Sequence, residues 1–390
     1  MPRAKPPAVN KRKRLQPTAA APAAAASGNE PSARTLATIR AALLARYDAH
    51  ARDLPWRRTS DPYAIWVSEI MLQQTQVATV LRYYDRFLAA FPDLPSLAAA
   101  DEDAVLAAWS GLGYYRRARM LHAGVREVVA RYGGVVPEAA EARRTLPGIG
   151  RYTAGAIGSI AFDRQEPLVD GNVARVFARL FGLDTPISRA DTQAQLWSLA
   201  ERLVAGPRPG ALNQSLMELG ATVCSKAAPS CDGCPVITHC IARRDGRVRE
   251  LPVVTKKAPP ARRQLVALLA EDPRGEHLLL TRSDSGLFAG LWNLPMADGN
   301  DRKAAKALLA ELGATAEQAP RLIARLEHVL THRHLEVQLF GVRVTHVEPR
   351  AGVLRLQPRH ALDKVGVSAL TRKALELAVE LPIIAAAEQT

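Results

Sequence analysis

The sequence predicts a mainly helical domain followed by a smaller α+β domain, and three observations carry that expectation. From Thr35 to about Val223, apolar residues recur at i, i+3 and i+4 with no convincing alternating strand. A composition break follows over about 243–261, where Arg243-Arg244-Asp245-Gly246, Lys256-Lys257 and Pro259-Pro260 occur without either period, as expected of a linker. Beyond it the pattern changes to short apolar runs around hairpin chemistry.

Residues 1–34 mix Pro, Ala and Ser with the run Lys11-Arg12-Lys13-Arg14 and have no face to bury, so a disordered basic arm is expected. A solvated tail with nonspecific phosphate affinity is the better reading of that run than a targeting signal. The helical domain is expected over 35–242. Within it, Asp61 caps and Pro62 opens a helix that the pattern continues from Tyr63 to Gln76. Asp170 is poised to open another, whose apolar positions are Val173, Val176, Phe177 and Leu180. In the second domain, 262–385, the runs Gln264–Ala270 and His277–Thr281 flank Asp272-Pro273-Arg274-Gly275. Between Leu335 and Val347 the apolar set runs 335, 337, 339 and then shifts phase to 340, 342, 344, which predicts a β-bulge near Leu339. Helical patterns at 302–312 and 367–380 complete this domain.

With 390 residues and 48% hydrophobic content, the chain can bury two or three cores. Its net charge of +14 calls for a polyanionic partner, nucleic acid or an acidic membrane surface, and charge alone does not choose. No uninterrupted apolar stretch reaches the ~18 residues of a membrane span, and the N-terminus lacks a secretory core, so a soluble cytoplasmic protein, nucleoid-associated if bacterial, is expected. All four cysteines fall between Cys224 and Cys240, too close together for a disulfide framework, and read as metal ligands in a reducing compartment.

Cys224, Cys231, Cys234 and Cys240 have the spacing C-x6-C-x2-C-x5-C. One compact loop of four thiolates suits an iron-sulfur cluster better than structural zinc, which usually takes two separated pairs; zinc is the alternative. Leu146-Pro147-Gly148-Ile149-Gly150 joins two helical segments, and Gly148 and Gly150 let backbone N–H groups approach an anion at the start of the next helix. A plain tight turn between helices is the alternative. Asp170 by itself reads as an N-cap, but a helix N-terminus also keeps a carboxylate ionised, as a developing sugar cation requires. Glu69 has largely apolar helical neighbours, so burial should raise its pKa until it holds a proton near neutral pH. An ordinary surface or helix-paired glutamate is the alternative. Two carboxyls pushed apart in pKa form the acid and ion pair that glycoside cleavage uses.

The hairpin followed by Asp170, the cysteine loop, and the segment Ser68-Glu69-Ile70-Met71-Leu72-Gln73-Gln74-Thr75-Gln76 resemble the MutY-type adenine DNA glycosylases of the endonuclease III-like helix-hairpin-helix superfamily. The resemblance covers roughly residues 36–385. It implies a helix-hairpin-helix glycosylase core with an iron-sulfur loop and a C-terminal Nudix-like domain. It further implies a monomeric, monofunctional base excision repair enzyme that releases adenine opposite 8-oxoguanine or guanine in double-stranded DNA. One [4Fe-4S] cluster, held by the four cysteines, would position DNA without acting on the base. Glu69 would protonate adenine N7 and later assist water, Asp170 would stabilise positive charge at C1′ or bond to it transiently, and Asn172 would hold Glu69 or the water. Trp56, Arg57, Leu72 and Gln214 fall where the family builds its adenine pocket. Gln74 and Tyr114 match residues that wedge into the base stack, although a buried tyrosine is the plain reading of Tyr114. Tyr152 stands where strand-cleaving relatives carry a lysine nucleophile, which implies attack by water.

In the C-terminal domain, the stretch Lys303–Leu312 holds one acidic residue, Glu311, where a Nudix hydrolase needs a glutamate-rich metal-binding helix. Nucleotide hydrolysis is therefore not expected. Leu330-Thr331-His332 matches a loop that is usually Phe-Ser-His in the family; Thr331 preserves the hydroxyl, while Leu330 removes an aromatic surface. Thr331 and His332 are the expected contacts to oxidised guanine, and Gly286–Trp292 is expected to turn near DNA. A noncatalytic DNA-binding or redox-sensing protein is the rival reading, against which stand both Glu69 and Asp170.

Overall fold

The computed structural model describes residues 30–255, 259–330 and 332–380. Of the expected basic arm, residues 1–29 therefore lie outside the described residues. Helix α1 (Ala33–His50) begins within the stretch assigned to that arm, because the Ser32 side chain accepts from Thr35 N and supplies the cap.

Helix α2 (Pro62–Leu72) starts as its residues dictate. Asp61 accepts from the N–H groups of Tyr63 and Ala64, and Pro62 has no amide to satisfy. The helix stops four residues short of Gln76: Gln73 leaves helical geometry and Gln74 turns to φ 58°. The Ile70, Met71 and Gln73 carbonyls accept instead from Arg117, a partner more than forty residues away that local periodicity cannot reveal. Helices α3 (Val77–Val80), α4 (Tyr84–Ala90), α5 (Leu94–Ala99), α6 (Glu102–Ala108) and α7 (Arg116–Tyr132) follow. With α2 they enclose a core containing Trp66, Phe87, Trp109 and Leu121.

Helices α8 (Ala140–Thr145) and α9 (Arg151–Phe162) form a hairpin. Fully buried Arg143 ties it together, donating to the carbonyls of Pro137, Glu138 and Ala154 and pairing with Glu166. A buried guanidinium is tolerable only with such a complete set of acceptors. Helix α9 joins two cores, since Ala154 and Ile157 belong to the first and Ala156 to the second. The second core packs α1 against α10 (Gly171–Leu180), α11 (Ala190–Val204) and α12 (Pro209–Thr222), around Ile39, Phe177, Leu196 and Leu212. Helix α13 (Ile241–Arg244) closes the cysteine loop. The chain then lies along the helical domain as far as Thr255: Arg179 Nε donates to buried Leu251 O at 2.8 Å, Ile187 N donates to Val253 O at 3.1 Å, and the Ser188 and Thr255 hydroxyls share a hydrogen bond of 3.2 Å.

The C-terminal domain is a mixed sheet between two helices. Its elements are β1 (Ala261–Glu271), β2 (His277–Arg282), β3 (Trp292–Asn293), β4 (Met296–Asp298), α14 (Arg302–Glu311), β5 (Thr315–Ala316), β6 (Arg321–Leu330), β7 (Arg333–His346), β8 (Leu354–Pro358) and α15 (Ala369–Glu380). The main path runs β3-β2-β1-β7-β5, with β1 and β7 parallel. Strand β4 pairs with β1, β6 with β7, and β8 with β2. The bulge expected near Leu339 is not in that strand: β7 stays in unbroken register with β1 from Arg333 to Arg343. The register shift lies opposite, in β6 between Leu322 and Ala324. The phase change arises because both faces of the sheet are covered. Leu335, Val337 and Leu339 join the core that contains residues of α15, whereas Phe340, Val342 and Val344 join the core beneath α14.

A close seam joins the domains. Leu291 inserts into the first helical core, and Gly366 runs so near Leu106 that an added Cβ would lie 2.5 Å from its Cβ. The loop Gly286–Trp292, expected as a turn near DNA, therefore sits at this seam. Asp103 in α6 accepts from Arg282 Nη1 at 2.8 Å and from Trp292 Nε1 at 3.3 Å. Arg372 Nε donates to Ser110 Oγ at 3.0 Å, and Tyr115 Oη donates to Val367 O at 3.2 Å.

Candidate active site

A cavity of 610 Å³ opens between the two helical cores and is lined from both. That volume falls in the ~300–1,000 Å³ range of small-molecule pockets. Its wall includes Glu69 and Leu72 from α2, Tyr152 from α9, Asp170 and Asn172 at the start of α10, Gln214 and Glu218 from α12, and Trp56 and Arg57 from the turn before α2.

Glu69 is buried at 4% exposure. Burial pushes its pKa up to about 7, aided by nearby Asp170 and opposed chiefly by a hydrogen bond from Tyr152. Tyr152 Oη donates to Glu69 Oε2 at 2.6 Å. Burial and the adjacent carboxylates hold the Tyr152 phenol well above its ordinary pKa, so it remains a donor at neutral pH. The resemblance assigns Asn172 to Glu69 or to a water, but its amide is engaged elsewhere: Nδ2 donates to Asp170 Oδ2 at 2.9 Å, and Oδ1 accepts from Arg175 at 2.9 Å.

Asp170 caps α10, accepting from Val173 N at 2.7 Å. Burial raises its pKa despite that cap; the Val173 amide, Asn172 and the Arg175 charge all pull the other way. The helix terminus, which favours the ionised form, is thus opposed here by desolvation.

Trp56 is buried edge-on to Tyr84, with ring centroids 5.4 Å apart. Arg57 donates to Glu218 at 2.7 Å, and Arg52 makes two bonds of 2.8 Å to the same carboxylate. Burial works to raise the Glu218 pKa, but these arginines bring it down to about 2. Arg52 and Glu218 are site residues that sequence reasoning missed. Their signal was Glu218 among the apolar positions of α12, the same signal that marked Glu69, but with no motif to single it out.

At the hairpin, Gly148 has φ 78°, and a Cβ there would lie 2.8 Å from Met120 Cβ. Gly150 caps α9 with no side chain bonded to the first-turn amides, and open space surrounds the direction a Cβ would take. Those unpartnered amides at a helix N-terminus suit an anion. Gln74 and Tyr114 are both exposed, Tyr114 at 47%, and both hold left-handed backbone, φ 58° and 49°. Tyr114 is thus not the buried tyrosine of the plain reading.

The four cysteines line one recess with Arg179 and Arg243. Arg179 Nη1 lies 3.3 Å from Cys224 Sγ. Among the described residues, no three of these sulfurs lie within 4.8 Å of one another. Thiolates around a single zinc at ~2.3 Å sit about 3.8 Å apart, so this wider set fits a multi-iron cluster better than one ion. In the C-terminal domain, His332 is exposed at the tip of the β6–β7 hairpin, while Thr331 lies outside the described residues.

Residues 67–202 match the HhH-GPD superfamily of base excision DNA repair proteins, and residues 266–377 match the NUDIX domain. The adenine DNA glycosylase of Homo sapiens is 38% identical over 387 residues, covering 83% of this chain and 71% of the human protein. That of Schizosaccharomyces pombe is 33% identical, covering 72% and 74%. A thermostable thymine-DNA glycosylase structure superposes with TM-score 0.50 and 31% identity, covering 54% of this chain and 97% of that one. Among the described residues, no helix is long and apolar enough to cross a membrane.

Proposed function

Because the chain belongs to the adenine DNA glycosylase family, we propose that it hydrolyses the N-glycosidic bond of adenine mispaired with 8-oxoguanine or guanine in duplex DNA, acting as a monomer with water as nucleophile. The observation that carries this reading is Glu69 and Asp170 on the wall of one cavity, with the Glu69 pKa pushed to about 7.

A carboxyl with that pKa is half protonated near neutral pH and can deliver its proton to adenine N7 as the bond to C1′ weakens. Tyr152 orients it from one side. As positive charge grows at C1′, the ionised form of Asp170 is favoured, and its bonds from Val173 N and Asn172 fix where that charge stands. Glu69, now deprotonated, takes the proton of the attacking water. Asn172 acts through Asp170, and Arg175 holds Asn172 in turn. Tyrosine at 152 cannot form a Schiff base, so no strand scission accompanies base release.

Flipped adenine would meet Trp56 and Leu72 on its faces and Arg57, Gln214 and the Arg52–Glu218 pair at its edge. The helix N-terminus after Gly148 and Gly150 would grip a backbone phosphate, with the net charge of +14 drawing the duplex in. Gln74 and Tyr114 would enter the stack beside the mispair, and Thr331 and His332 would read the oxidised guanine. Cys224, Cys231, Cys234 and Cys240 would hold a [4Fe-4S] cluster; when bound, it supplies four iron–thiolate links that pin the loop. Iron analysis of the purified protein should give about four irons per chain by this stoichiometry.

The direct test is a duplex with adenine opposite 8-oxoguanine, scored for free adenine before and after alkaline cleavage. Adenine should appear with the strand intact until alkali is added, and borohydride should trap no efficient covalent adduct. Strand breaks without alkali, together with strong trapping, would assign a lyase mechanism instead.

A further inference from the structure

Arg117 stands in the first turn of α7 and takes no part in the chemistry above, yet its guanidinium holds two separate turns. Nη1 donates to the carbonyls of Ile70 at 2.8 Å, Met71 at 2.9 Å and Gln73. Nη2 donates to Thr75 Oγ1 at 3.0 Å, Gly113 O at 3.1 Å and Leu112 O at 3.3 Å. The cation also lies 5.5 Å from the Trp109 ring centroid and 5.3 Å from that of Tyr114. Among the described residues, no carboxylate pairs with it.

Gln74 and Tyr114 sit in the two turns so held, each in left-handed backbone that non-glycine residues adopt only under outside constraint. We propose that Arg117 is a positioning residue that locks the Gln74 and Tyr114 turns into one rigid unit, so that both side chains enter the base stack together. This rests on the reading of those two residues as wedges. Only a planar fork can do this, because acceptors from α2, the Gln74 turn and the Gly113 turn surround it on different sides, and a lysine ammonium cannot span them. Burial brings the Arg117 pKa down to about 10, which leaves the fork charged at neutral pH. The carbonyls of Ile70 and Met71 anchor the unit to the end of the helix that carries Glu69.

The test uses full-length protein and a duplex with 2-aminopurine beside the adenine–8-oxoguanine mispair, whose fluorescence rises as the stack opens. Arg117→Lys should weaken the unstacking signal and the preference for mispaired over paired duplex roughly tenfold, the loss of charge-assisted bonds. In a Gln74→Ala/Tyr114→Ala background, the same substitution should change mispair preference little further. The pH midpoint of adenine release should stay where it is, since Arg117 does not contact Glu69; a general collapse of the site would move it. Thr75→Val, which removes one acceptor and keeps the arginine, should give a smaller loss in the same direction, and it carries the test if Arg117→Lys does not fold. Unchanged unstacking in these variants, or full additivity in the double-alanine background, would overturn the proposal. Absence of both unstacking and adenine release in the unaltered protein would instead remove the adenine reading, and this one with it.

Discussion

Glu69 is held in an environment that disfavours its charge, and that has consequences for stability as well as catalysis. Its pKa of about 7 in the folded protein lies above the ordinary 4.5. Burial therefore costs nothing below about pH 4.5, an increasing amount as pH rises, and the full amount above about pH 7. Glu69→Gln should thus stabilise the protein at pH 8 by on the order of 3 kcal/mol and little at pH 4.5, read from denaturant midpoints at the two pH values. An equal effect at both would show that the carboxyl is not buried neutral. Tyr152→Phe removes a hydrogen bond that lowers the Glu69 pKa. The alkaline limb of the adenine-release profile should then move to higher pH, and an unmoved limb would mean that the phenol does not act on this carboxyl.

The α8–α9 hairpin sets two glycines in different surroundings, which lets a folding role be told apart from the proposed phosphate contact. Gly148 combines positive φ with a blocked Cβ position, so Gly148→Ala should cost about 1–3 kcal/mol and weaken DNA binding as well. Gly150 has ordinary φ, −87°, and open space around it, so Gly150→Ala should leave the melting temperature nearly unchanged while weakening duplex affinity and flattening its salt dependence. Unaltered affinity in that variant would count against phosphate contact at this turn. The hairpin was legible in the sequence because glycine is what such a turn demands. The end of α2 was not: residues 73–76 continue the helical pattern, and what stops them is Arg117, brought in by tertiary packing. The pairing of Asn172 with Asp170 was hidden for the same reason, since spacing gives proximity but not which group an amide chooses.

Across the whole molecule, the change of period near residue 260 revealed a second architecture, but not how it docks. The docking depends on shape: Leu291 fills a gap in a helical core, and Asp103 gathers Arg282 and Trp292 across the seam. Asp103→Lys places a cation against these groups and should enlarge the radius of gyration in solution scattering while both domains stay folded; an unchanged radius would mean that this cluster does not hold the seam. The β6 bulge was likewise invisible, because a phase change in β7 has two causes, an extra residue or a second buried face, and only the layered sheet distinguishes them. The proposed chemistry needs both carboxyls that line the one cavity, Glu69 and Asp170. The measurement that tests it most directly is single-turnover adenine release from a duplex bearing adenine opposite 8-oxoguanine, with binding followed in parallel, for the unaltered protein, Glu69→Gln and Asp170→Asn. Release by the unaltered protein that falls as pH rises through about 7, and none from either variant although both still bind the duplex, is the predicted result. Release from either variant at a rate near that of the unaltered protein would contradict it.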